Sequence, residues 1–193
     1  MRTTLILVFV LAPLLSFAQE DKHLRSFEQA IRNNMEFRNA LHERDFFTRK
    51  VRRSVNIYVL PLNGEMIDAT LDYRQSTGDL KRSEKKKLLK QSHQKYLKGE
   101  FSAFVLLIHK YAASGRDFDL SFSDFGDMTR LSDESSDYPV TRYTKIFDEP
   151  LDLGWNKGYL YFPNFREGQH HDSYSVHLAP LNKGTYTFAF DNS

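Results

Sequence analysis

Gln169-His170-His171-Asp172 places two imidazoles and a carboxylate side by side. Neutral imidazole nitrogens and carboxylates are ordinary ligands for zinc or copper, which makes His170 and His171 the first candidates for a metal centre. Neighbours in an extended chain point to opposite sides, so one ion takes both only across a turn, with His177 or His109 completing the set. A solvated loop ahead of a strand accounts for the same residues without a metal. Asp117, Asp119, Asp124, Asp127, Asp133, Glu134 and Asp137 supply the oxygens that calcium takes. They lack the spacing of an EF-hand loop, and strand alternation explains the first two. The expectation is a protein without a cofactor, with zinc or calcium as the ions to test.

Nucleophile motifs are formal matches only. Ser83-Glu84-Lys85-Lys86 fits the S-x-x-K arrangement of penicillin-recognising enzymes, in which a lysine one helical turn on activates the serine. The chain has no Ser-Asp-Asn, and Lys183-Gly184-Thr185 has the wrong order for Lys-Thr-Gly. A serine capping a basic helix explains the match. No serine lies in a G-x-S-x-G elbow, and no glycine-rich phosphate loop occurs.

Charge and aromatic side chains offer candidate binding surfaces. The totals nearly balance, with 27 Lys and Arg against 25 Asp and Glu, but the distribution is uneven. Lys81 to Glu100 carries eight basic residues and two glutamates, and Asp117 to Asp152 carries ten acids and three bases. Lys86 and Lys90 stand for a basic helix face that could meet lipid headgroups or a polyanionic glycan; its apolar face is too weak for insertion, and a solvated face is the simpler reading. Arg44, Arg49, Lys50, Arg52 and Arg53 form a second basic run, which would suit nucleic acid in a cytoplasmic protein but not in an exported one. Trp155, Tyr159 and Tyr161 can stack on sugars or hold a peptide if they lie on an open sheet surface, whereas Phe162, on the opposite face, belongs in a core.

These residues need elements to hold them. Arg2, an apolar run from Leu5 to Leu15 and then Ser16-Phe17-Ala18 read as a signal peptide over residues 1–18, cleaved after Ala18. The run is shorter than the roughly 20 residues of a membrane-spanning helix. The expected protein is exported, to the periplasm or beyond, and is not integral to a membrane. With no cysteine, the mature chain relies on packing for stability. Residues 19–50 are expected to be helical, since Leu24, Phe27, Ile31, Met35, Arg38 and Leu41 share helical spacing. Residues 51–193 are expected to form a β-rich domain with a helical insertion at about 65–99. Val55, Ile57 and Val59 alternate as in a strand, and Phe101 to Tyr111 is apolar on both faces, as in a central strand. Phe118, Leu120 and Phe122 give the clearest alternation, and Ser132 to Tyr138 reads as a loop. Strands follow at Tyr159 to Phe162, Tyr174 to Leu178 and Tyr186 to Phe190, the last two joined across Asn182-Lys183-Gly184.

The succession Asp152-Leu153-Gly154-Trp155, Gly158-Tyr159-Leu160-Tyr161-Phe162 and Tyr174-Ser175-Val176-His177-Leu178 resembles the closing strands of bacterial extracellular immunoglobulin-like domains. The resemblance implies a sandwich fold and no particular activity. The fold class expected is α+β or mainly β, an antiparallel β-sandwich, immunoglobulin-like among its forms, with amino-terminal and inserted helices. The function expected is non-enzymatic binding or assembly in the cell envelope, with envelope protein, glycan or lipid headgroup as partner and no nucleic acid. A hydrolase of envelope polymers, metal-assisted or not, and a small-molecule carrier are the alternatives.

Overall fold

Alternation of apolar and polar residues with period two builds the antiparallel strands, and the computed structural model is a mixed α+β sandwich. It describes residues 22–97, 101–118, 120, 129–133, 136–144, 150–163, 173–178 and 185–191. The leader expected at 1–18, His170, His171 and the turn at 182–184 lie outside these residues. By packing, the chain divides into a helical unit, Met1–Asn34 with Asn63–Lys98, and a β unit, Met35–Leu62 with Gly99–Ser193.

In the helical unit, α1 spans Lys22–Asn34, α2 Gly64–Ser76 and α3 Arg82–Ser92, and a π turn follows at His93–Leu97. α1 buries Phe27 and Ala30, and the Phe27 ring stacks on that of Tyr73 in α2 at 5.2 Å. The single helix expected over 19–50 stops at Asn34, because the Asn34 amide turns back to the carbonyl of Ala30 at 2.8 Å and also reaches Glu65. Asn63 caps α2 by accepting from the Met66 N–H at 3.0 Å. Ser83 does not cap α3. That helix starts at Arg82, and the Glu84 carboxylate accepts from the Lys81 N–H at 3.1 Å. No described helix is long and apolar enough to cross a membrane.

Among the described residues the β unit has two sheets. One has the order β1 (Glu36–Arg44), β2 (Val51–Pro61), β3 (Phe101–Ala112), β7 (Gly154–Pro163), β6 (Arg142–Tyr143). The other has the order β5 (Asp137–Pro139), β4 (Arg130–Ser132), β8 (Ser173–Leu178), β9 (Tyr186–Asp191). Strands β1 and β2 pair from Glu36 with Val59 to Arg44 with Val51, with irregularities at Asn39/Leu41 and Glu43/Arg44. Met35, Arg38 and Leu41, expected on a helix, therefore enter a strand or its approach, drawn there by pairing with β2.

One core fills the space between the sheets. Val55, Ile57, Val59, Phe104, Leu106, Ile108, Leu160 and Phe162 from the first sheet meet Leu131, Val176, Leu178, Phe188 and Phe190 from the second. Phe104, Phe162 and Phe188 are wholly buried, and each such side chain contributes roughly 1.5–3 kcal/mol. Residues 116–118 and Leu120 form no strand, contrary to the alternation there. Leu120 drops into the core and its carbonyl accepts from the Leu151 N–H at 2.9 Å, while Asp117 and Phe118 turn toward Lys110. The loop expected at 132–138 is a short hairpin, β4 with β5, closed by Asp133 N–H to the Ser136 carbonyl.

Candidate binding face of the five-stranded sheet

If Val55, Ile57 and Val59 point into the core, then Ser54, Asn56, Tyr58 and Leu60 must face outward, and register carries that division across the sheet. Tyr58 lies opposite Phe37 on one side and Leu107 on the other. Asn56 lies opposite Asn39 and His109, His109 opposite Trp155, and Leu107 opposite Lys157. Four strands thus contribute to one outer face.

Its side chains form an aromatic row. The Phe37 and Tyr58 rings are 4.9 Å apart, Tyr58 and Trp155 5.6 Å, and Trp155 and His109 4.7 Å, all tilted. Such offset geometry is the favourable one for ring pairs. Trp155 is 49% exposed, Phe37 and Tyr111 about as much, and Tyr58, His109 and Lys157 are half-buried. Burial pushes the Tyr58 hydroxyl up from its ordinary pKa and lowers the Lys157 ammonium to about 8. The buried Oδ1 of Asn56 has no hydrogen-bond partner among the described residues. None of the described outward register positions of β1, β2, β3 and β7 holds an acidic residue. Stacking surface, amide, imidazole and ammonium together can hold a ligand that has an apolar face, hydroxyls and negative charge.

Tyr159 and Tyr161 follow on the same face, with rings 6.4 Å apart. Tyr159 is half-buried, and its backbone N–H donates to Thr144 Oγ1 at 3.0 Å. Tyr161 is buried, with the Arg142 guanidinium 5.3 Å above its ring, so it is no part of an open surface. Trp155 was recognisable by type, but its neighbours Phe37, Tyr58 and His109 come from distant stretches of chain, and only strand register unites them.

The remaining candidates lie elsewhere. Lys86 and Lys90 are exposed on α3, one turn apart, while Lys85 is paired with Asp72. His177 lies on β8 opposite Arg130 and Thr187, with Nδ1 3.1 Å from Thr187 Oγ1. Burial and the Arg130 guanidinium hold its pKa below the ordinary imidazole value, and the same guanidinium opposes a second cation. Among the described residues no three His, Asp or Glu side chains gather as metal ligands would. No family model matches the chain, and comparison with curated proteins and with solved structures finds none similar to it.

Proposed function

We propose that this protein is an exported, non-enzymatic binding module of the cell envelope and that the face around Trp155 takes an acidic glycan. The observation that carries this reading is the aromatic row Phe37, Tyr58, Trp155, set on a face with Lys157 and no carboxylate at the described outward positions of β1, β2, β3 and β7. A sugar ring presents C–H groups on one side and hydroxyls at its rim, so it lies on an aromatic ring while amide, imidazole and ammonium groups meet the rim. The leader-like start of the sequence supports export.

Trp155 is the only tryptophan, which makes its fluorescence a direct reporter. Titration with a soluble polyuronate should give a saturable change that a neutral glucan does not reproduce. Calorimetry of Trp155→Ala should show the polyuronate bound at least tenfold more weakly. Equal response to both polymers, or none, would refute the assignment.

A further inference from the structure

The hairpin between β1 and β2 ends in two side chains that the fold does not use. Phe46 is 74% exposed and Phe47 89%, their rings edge to face at 5.2 Å. Adjacent bulky rings in water are costly unless something receives them. They are also held in place. The Asp45 carboxylate accepts from the N–H groups of Phe47 and Thr48 at 3.0 and 2.8 Å and from the Thr48 hydroxyl at 3.0 Å. Asp45 N–H donates to the Lys50 carbonyl at 2.8 Å, Arg49 N–H donates back to the Asp45 carbonyl at 3.0 Å, and Arg49 takes the left-handed region at φ 58°. These bonds hold the Asp45 carboxyl below the usual carboxylate range, Thr48 contributing most.

Around this tip stand exposed cations. Arg44, Arg49, Lys50 and Arg52 are all exposed, and the Arg49 guanidinium lies 5.6 Å over the Phe46 ring. The nearby acids are already engaged, Asp45 by the turn and Glu43 by Arg53 at 3.8 Å. A rigid turn with two aromatic rings at its apex and basic side chains behind them has the charge and polarity profile of a bilayer interface bearing anionic lipid. Rings enter the headgroup and acyl boundary while long basic side chains stay at the phosphates.

We infer that the β1–β2 tip docks this protein onto an anionic lipid surface by inserting Phe46 and Phe47. This does not depend on the glycan reading, since it uses other residues. A partner protein is the less favoured occupant, because the two rings are ringed by charge instead of continuing into an apolar patch.

The test is flotation of the full mature chain with vesicles of phosphatidylcholine containing one-third phosphatidylglycerol, and with phosphatidylcholine alone. The expected result is binding to the anionic vesicles, weakened by added salt and at least tenfold weaker on neutral ones. Phe46→Ser/Phe47→Ser should lose at least tenfold in binding with unchanged thermal unfolding, since both side chains are exposed. Lys86→Gln/Lys90→Gln should bind as the parent does. Absence of vesicle binding, or binding lost through the α3 lysines and retained in the double serine variant, would overturn the inference. So would tip-dependent binding to an envelope protein without any to vesicles.

Discussion

Lys110 and Asp117 form an ion pair whose halves occupy opposite environments: the Lys110 side chain is 1% exposed, the Asp117 side chain 55%. The ammonium also donates to the Leu151 carbonyl at 2.5 Å and lies 4.8 Å from the centre of the Phe118 ring. A buried cation is tolerable only when its protons are all received. Here one lysine pins residues 116–118 and the approach to β7 against β3. It serves as a fastener, with no ligand role implied.

Truncation and neutralisation of Lys110 should therefore differ. Lys110→Ala leaves a cavity and strands the Leu151 carbonyl, at a cost of about 2–4 kcal/mol. Lys110→Met strands the same carbonyl but keeps the volume and removes the desolvated charge, while Asp117 remains hydrated, so its loss should be smaller than that of the alanine variant by about 1 kcal/mol or more. Urea unfolding midpoints at unchanged m would measure both. Equal losses would mean that charge, not volume, holds this corner.

Acid should loosen the same corner. The hydrogen bond from Lys110 holds the Asp117 carboxyl below its ordinary pKa. Its stabilisation is therefore present above the unfolded-state value, near pH 4, and is lost as pH falls through the lower folded-state value. Asp117→Asn should be less stable than the parent at pH 7 and should converge with it in strong acid. Thermal unfolding between pH 2 and 7 would record this, and parallel profiles would sink the assignment.

The cap of α2 allows a local test within the helical unit. Asn63 accepts from the Met66 N–H, and its amide donates to Asn34 Oδ1 at 2.5 Å. Asn63→Ala removes both bonds and should cost about 1–2 kcal/mol. Hydrogen exchange at Met66 should accelerate. Unchanged exchange there would show that the cap is dispensable.

What the sequence revealed follows from how local each signal is. The alternation of Tyr174 to Leu178 and of Tyr186 to Phe190 was legible because each strand carries its own period, and both became neighbouring strands. Phe118, Leu120 and Phe122 carried the same period, yet 116–118 turn aside because Lys110 and Leu151 offer better partners, and no window of sequence contains that competition. Met35 to Leu41 matched a helical stripe by chance of spacing, and strand β2 overrode it. Trp155 was visible as a residue type. Its setting beside His109 and Tyr58 was not, since a one-residue slip in register would have turned the face inside out.

Lys157 joins stability to the proposed binding. Burial lowers its folded-state pKa to about 8 from the ordinary 10.5. The folded state therefore holds that proton less firmly than the unfolded chain does. The stability linked to this site is complete above the unfolded-state value and is lost as pH falls through about 8, so at pH 7 the charged lysine is a net cost. Allowing for its partial exposure, Lys157→Met should gain about 1 kcal/mol at pH 7. The gain should shrink toward pH 10. On the proposed glycan reading the Lys157 ammonium meets the acidic rim of the sugar, so the same variant should lose polyuronate affinity by tenfold or more. Thermal unfolding at pH 7 and pH 10, paired with calorimetric titration, tests both halves. If Lys157→Met were destabilised at pH 7 and still bound the polymer, the lysine would be a packing residue and the face around Trp155 would lose its claim to an anionic ligand.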